Sequence, residues 1–309
     1  MLEVASMCGI RLFSLVVSLA LMLSGCGLLP PGNEKSCTGS GTEHPSPLDK
    51  AQLSGNILFV STRDHPAGEI YTMRADGTQM RRLTNNDLAE EYPSVSPDGQ
   101  KVLFSAKGGG IYQLDLPLCL GQPQGCDSTQ LTLLRKTGRD PEWSPDGQKI
   151  LFIDGDVMVM NADGSGATPL FMRPATPSRV QDPTWGPDSR KVVAVAVQNA
   201  VANLYVRSED SEWWIGRGVY APDWSPDGSR IVVQGSRRPG LCIIEMTSTG
   251  EPAGAPRRLL ALPACQPAWS PDGRWIVFSS PQGLGVIDAE GMTMALLTQE
   301  SGQYPAWYP

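Results

Sequence analysis

The stretch Pro141-Glu142-Trp143-Ser144-Pro145-Asp146-Gly147 decides how this chain is read, because the sequence keeps rewriting it. It stands earlier as Pro93-Ser94-Val95-Ser96-Pro97-Asp98-Gly99 and later as Pro183-Thr184-Trp185-Gly186-Pro187-Asp188-Ser189. It returns as Pro222-Asp223-Trp224-Ser225-Pro226-Asp227-Gly228 and as Pro267-Ala268-Trp269-Ser270-Pro271-Asp272-Gly273, and a last partial copy is Pro305-Ala306-Trp307-Tyr308-Pro309. A period of about forty residues with several short strands per unit is the signature of a β-propeller.

Ser-Pro-Asp-Gly has turn chemistry in the right order. Serine opens the turn, proline presets φ, aspartate bonds back to the backbone, and glycine takes the left-handed position that ends it. Pro-x-Trp before it is read as a short inner strand entered by its proline. Apolar runs such as Val102-Leu103-Phe104 and Ile150-Leu151-Phe152 follow it as the second strand. Ser189 stands where the other copies have glycine, so that turn is expected to differ or to be strained.

The repeat resembles the TolB-like, WD-type β-propeller repeat. The residues that carry the resemblance are the Trp-Ser-Pro-Asp-Gly runs, Ile70-Tyr71-Thr72-Met73 with Arg74-Ala75-Asp76-Gly77, Val157-Met158-Val159-Met160 with Asn161-Ala162-Asp163-Gly164, and Leu83-Thr84. The resemblance spans residues 54–309 and implies an all-β fold of six blades. Ile57-Leu58-Phe59-Val60 is a second strand with no first strand before it, and Pro305-Ala306-Trp307 is a first strand with no second after it. Pairing the two closes the ring and removes its exposed edges.

The rest of the sequence sets the context. Leu12 to Met22 is an apolar run behind Arg11, and Leu23-Ser24-Gly25-Cys26 resembles a bacterial lipobox. The expectation is a signal peptide over 1–25, a lipid (palmitate-type acyl chains) on Cys26, and a flexible linker over 26–53 rich in Pro, Gly and Ser. That places the protein in the cell envelope, membrane-anchored, facing the periplasm or the outside. The net charge of −7, with no basic run, argues against nucleic acid as a partner. A monomer is expected.

Seven cysteines include Cys8 in the signal peptide and Cys26 at the expected lipid. In an oxidising compartment the remaining five favour disulfides. Cys119 with Cys126 is the expected pair in the loop after the third strand of the second blade, Cys242 with Cys265 the next, and Cys37 is left over. No C-x-x-C spacing suggests zinc, and neither metal nor cofactor is expected.

No catalytic pattern stands out. The two histidines, His44 and His65, read as solvated, and there is no nucleophile elbow or phosphate-cradling loop. The chain is therefore expected not to be an enzyme but to bind an envelope or surface protein, or a peptide. The propeller of TolB docks a lipoprotein; TolB's preceding α/β domain has no counterpart in this sequence, so that partner is not carried over. The alternative is an enzyme or carbohydrate-binding propeller acting on cell-wall or environmental polymers at the pore mouth.

The heptad tryptophans are read as packing residues between blades, and Trp213-Trp214 as an outer-strand pair with one ring partly exposed. Recognition is assigned to the face whose loops vary most. The residues before each Pro-x-Trp should ring the mouth: Tyr92, Asp140, Asp182, Ala221, Gln266 and Tyr304. Glu91, Arg139, Gln181 and Tyr220 stand behind them, with Arg63, Arg237 and Arg238 as outer contacts. Charge reversal at Asp140 and Asp182 is expected to weaken capture and leave the melting temperature nearly unchanged.

Overall fold

The structure is a computed structural model that describes residues 41–170, 179–199, 201–208, 211–235 and 240–309. The lipobox cysteine Cys26, and Arg237 and Arg238, lie outside the described residues. The described chain begins with β1 (Ser46–Pro47) and then supplies β2 (Asn56–Ser61), β3 (Glu69–Arg74) and β4 (Arg81–Arg82). The second blade is β5 (Glu90–Val95), β6 (Lys101–Ala106), β7 (Ile111–Asp115) and β8 (Thr132–Arg135). The third is β9 (Arg139–Trp143), β10 (Lys149–Asp154), β11 (Asp156–Asn161) and β12 (Thr168–Pro169). The fourth is β13 (Arg179–Trp185), β14 (Val192–Gln198), β15 (Val201–Arg207) and β16 (Glu212–Arg217). The fifth is β17 (Val219–Trp224), β18 (Arg230–Gly235), β19 (Leu241–Glu245) and β20 (Arg257–Leu260). The sixth is β21 (Cys265–Trp269), β22 (Trp275–Ser280), β23 (Gly283–Asp288) and β24 (Thr293–Thr298). The last strand, β25 (Gln303–Tyr308), joins β2, β3 and β4, so both ends of the propeller build one blade. The protein is an all-β, six-bladed propeller closed in this way.

Period-two alternation makes the core. In β10, Ile150 and Phe152 pack toward the second blade with Leu103 and Ile111, while Leu151 and Ile153 pack toward the fourth with Val180 and Val192. A second strand is thus buried on both faces, which explains its unbroken apolar run. Phe59, Phe104 and Phe152 are fully buried; truncating any of them to alanine falls in the class that costs roughly 3–5 kcal/mol.

Each of the six inter-blade clusters holds one residue from the same heptad position. These are Trp143, Trp185, Trp224, Trp269 and Trp307, all between 5% and 9% exposed, with Val95 packed against the sixth cluster. The tryptophans are packing residues. Trp214 is 41% exposed while Trp213 packs against its blade interface, as strand alternation requires.

The turn chemistry repeats closely. Ser96 Oγ donates to Asp98 Oδ1 (2.6 Å) and accepts from Lys101 N (2.9 Å), and Gly99 sits at φ +69°. Ser144, Ser225 and Ser270 repeat the first bond with Asp146, Asp227 and Asp272 at the same length. The copy ending in Ser189 keeps the left-handed conformation, at φ +56°, instead of changing turn. Ser189 Oγ accepts from Asp146 N of the neighbouring turn at 3.1 Å, a contact glycine could not make.

Three features differ from the sequence expectation. The proline of Pro-x-Trp does not enter the inner strand but lies within it, two or more residues in. Part of the expected linker is docked: β1 pairs in parallel with β24, Ser46 N donates to Met292 O, and Leu48 N donates to Met294 O. The loop with Cys119 and Cys126 contains a short helix, α1 (Leu116–Gly121), capped by Asp115.

Cys119 and Cys126 form the expected disulfide, and both are buried. The stapled loop lies against the first blade, where Cys126 N donates to Leu83 O and Asn85 N to Cys126 O. Cys242 and Cys265 are also disulfide-bonded. Cys242 packs toward the fourth blade with Val206 and Ile215, whereas Cys265 opens the inner strand of the sixth.

Candidate functional site at the pore mouth

All six inner strands carry the same irregularity. In β5 the register slips between Glu91 and Ser94, so Tyr92 and Pro93 together face one residue of β6. The same slip follows Arg139, Gln181, Tyr220, Cys265 and Gln303 in the other inner strands. Proline suits the second bulge position because it has no N–H to leave unpaired.

The first bulge position is left-handed in every blade. Tyr92, Asp140, Asp182, Ala221, Gln266 and Tyr304 have φ between +44° and +55°. A left-handed non-glycine residue costs about 1–2 kcal/mol, and a following proline ordinarily demands extended backbone. Strain of this kind, repeated six times on one ring, is the pattern expected where side-chain placement is needed.

The ring is electrically and physically connected. The Tyr92 and Tyr304 rings lie 4.2 Å apart, tilted at 38°. Arg139 Nη1 pairs with Asp140 Oδ2, and Arg139 Nη2 donates to Val180 O at 2.8 Å. Asp182 Oδ2 accepts from Ala221 N (3.1 Å) and Gln181 Nε2 (3.3 Å), and Gln266 Oε1 accepts from Tyr304 N (3.0 Å). One blade's side chain therefore caps a backbone N–H that the next blade's bulge has freed.

Burial makes the groups of this ring weaker acids. Asp140 is pushed up to about 7 by desolvation and the nearby Asp182 and Glu91, against the pull of Arg139. Desolvation also raises Asp182 and Glu91, the latter opposed by Lys107 and Arg139. Tyr92 is raised well above its ordinary value by burial, then by the field of Asp140, Asp182 and Tyr304. Those fields place Asp140 and Asp182 within reach of both tyrosines.

A second ring lies two residues farther along the inner strands, and the sequence reading missed it. Ser94 Oγ accepts from Trp143 N at 3.2 Å, Glu142 Oε1 from Trp185 N at 3.3 Å, and Asp223 Oδ2 from Trp269 N at 2.6 Å. Glu142 is raised by desolvation and by Asp223, and Asp223 is held at about 7 by desolvation. The available signal was period two from the mouth residues, with the middle residue of each Pro-x-Trp turning back to the channel.

Beside the mouth, on the same face, is an open cleft of about 450 Å³ between the second, third and fourth blades. Glu91, Arg139 and Arg179 line its inner side, and Gly108, Gly109 and Gly155 leave it open where the loops turn. Tyr220 is raised by burial and by Asp182, which places it near the mouth too. Arg63 is not brought to the mouth: it lies 6.0 Å from the Tyr71 ring and donates to Met80 Sδ, over the outer half of its blade. Asp140 is 4% exposed and Asp182 caps a neighbouring blade, so charge reversal there would damage the fold, contrary to the sequence expectation. Among the described residues no group of three or more His, Cys, Asp or Glu side chains is arranged to hold a metal ion.

With this geometry in hand, the fold and site define a propeller whose inner strands deliver polar side chains to one end of an axial channel. Solved structures of TolB are among those similar to the chain, and the likeness shows its propeller fold. TolB from Acinetobacter baumannii matches with a TM-score of 0.63 at 17% identity, covering 83% of this chain and 67% of that one. A protein assigned as TolB from Agrobacterium tumefaciens matches at 0.62 and 20% identity, over 84% of this chain and 99% of that one. A nidogen/laminin complex contributes a chain at 0.64 and 10% identity, over 82% and 98%. No family model and no curated protein matches the sequence. The expectation that the chain is not an enzyme is withdrawn, because the propeller fold hosts enzymes as well as binding modules; an oligogalacturonate lyase in complex with manganese matches at 0.48 and 14% identity, over 77% of this chain and 85% of that one. So distant a likeness assigns this chain no reaction.

Proposed function

We propose that this chain is an exported, lipid-anchored propeller that captures a segment of another envelope or surface protein at its pore mouth. One observation carries the reading. Six left-handed bulges present side chains at the mouth, next to an open cleft on the same face. The likeness to TolB propellers and to a chain of a nidogen/laminin complex is consistent with protein binding on this fold. Envelope location and the lipid on Cys26 come from the leader sequence.

The test is site-specific crosslinking in the intact chain. A photo-crosslinking residue at Gln266 should yield an adduct with an envelope protein, and one at Asp227, on the opposite face, should not. Adducts from Asp227 alone would put the binding face on the wrong side. For the anchor, Cys26→Ser should release the protein from membranes washed in high salt; retention of the variant would refute the lipid.

A second reading is favoured by one observation: Asp140 and Asp223 are held near neutrality, where a carboxyl group can act as acid or base. It predicts turnover of a cell-wall or environmental polysaccharide that is lost in Asp140→Asn.

A further inference from the structure

The inner strands leave the mouth and throat of the channel unbalanced in charge. Glu91, Asp140, Glu142, Asp182 and Asp223 stand on β5, β9, β13 and β17, and the guanidinium groups on those strands are Arg139 and Arg179. β21 and β25 add none of either sign and bring Gln266 and Tyr304 instead. One wall of the mouth is thus acidic and the other aromatic and amide.

Asp140 adds a specific demand. Its side chain is 3% exposed, and Oδ2 is taken by Arg139. The carboxyl group also draws on the backbone N–H of Asp182, and among the described residues Oδ1 is buried with no hydrogen-bond partner at bonding distance. Such an orphan acceptor is costly, and a donor arriving from a ligand would satisfy it. Next along the ring, the paired Tyr92 and Tyr304 offer aromatic surface of the kind that attracts a cation. An anion would meet like charge here. A metal ion would need several oxygens closing on one point, which the described acids do not do. An ammonium or guanidinium group instead brings several N–H donors on a long stem and tolerates spaced acceptors.

We propose that the mouth receives the side chain of a lysine or arginine from the captured polypeptide, seated between Asp140 and Asp182 and against the Tyr92–Tyr304 pair. This rests on the reading of the mouth as a protein-binding site and specifies what the bound segment must carry. A cation in that position lowers the affinity of the carboxyl groups for protons, so binding near neutral pH releases protons to solvent.

The experiment probes the full chain with an array of capped random heptapeptides. Retained peptides should be enriched in lysine and arginine, and replacing the critical lysine by norleucine, or arginine by citrulline, should weaken binding at least tenfold. Asp140→Asn/Asp182→Asn, which keeps oxygen acceptors for the neighbouring backbone and is checked for an unchanged fold by its melting curve, should lose the same factor. Calorimetry of a retained peptide in two buffers of different ionisation enthalpy should show proton release at pH 7. Peptides retained without cationic enrichment, or bound equally well after the norleucine or citrulline replacement, would overturn this inference and leave the binding function standing. An array from which the wild-type chain retains nothing would overturn both.

Discussion

The two ends of the inner strands solve one backbone problem in opposite ways. All six blades have a left-handed residue at the mouth end, and the five whose first and second strands are joined by a turn have another at the turn end. At the turn end it is glycine in four of the complete copies, at φ +69° or +71°, and serine in the fifth. At the mouth end it is never glycine. Glycine would take both positions without steric cost. The turn end uses it because Ser-Pro-Asp-Gly has only to turn, and its polar atoms satisfy one another. The mouth end carries strain six times over and in exchange displays two tyrosines, two aspartates and a glutamine. Repetition at one end and variety at the other therefore mark where geometry alone is required and where side chains are.

The comparison breaks most readily under charge reversal. Asp182→Lys removes the cap on Ala221 N and buries a cation beside Arg139, an insult of about 3–5 kcal/mol. Asp98→Lys, in the exposed turn, should have a much smaller effect on the urea midpoint. Equal losses from the two would mean that the ends are not built differently.

Next in size is a response to pH of opposite sign at the two ends. Asp140 and Asp223 have folded values of about 7 against an ordinary 3.8, so the stability they lend is full below 3.8 and lost as pH rises through about 7. Glu90, buried between the first and second blades and accepting from Thr84, Asn86 and Ile70, is raised to about 8 and acts in the same sense. Asp98, Asp146 and Asp227 are lowered by their serine partners, so their contribution is present above 3.8 and lost as pH falls. The melting temperature should be higher at pH 5.5 than at pH 8, and Asp223→Asn should flatten that difference. A melting temperature that climbs from pH 5.5 to pH 8 would show the mouth and throat acids to be better ionised in the fold than out of it.

The smallest test exchanges residue types between the ends. Gly99→Ala places a side chain at φ +69° with nothing within 4 Å of its Cβ, so it should destabilise by about 1 kcal/mol through the backbone alone. Ala221→Gly relieves φ +44° at a mouth position with no polar side chain to lose, and should stabilise by up to about 1 kcal/mol. Denaturant curves measure both; loss of stability in Ala221→Gly would mean that the mouth stores no backbone strain.

Much of this molecule was legible in its sequence. Pro-x-Trp-Ser-Pro-Asp-Gly, at a period of about forty, determined blade number, turn geometry, ring closure and the packing role of the tryptophans, because each depends on local chemistry that every copy repeats. The six mouth positions were also readable, since they share one place in the repeat. Only the tertiary structure decided the rest. A bulge is a mismatch between two strands, so the proline's place inside the inner strand could not be read from one strand. Docking of Ser46–Pro47 on β24, far away in sequence, depends on where the sixth blade leaves its outer edge. Asp140 and Asp182 look like surface charges in a polar stretch; their burial, and the throat pair Glu142 and Asp223, exist because the closed ring brings separate blades together around one axis. Local repetition encodes the blade, and ring closure creates the site.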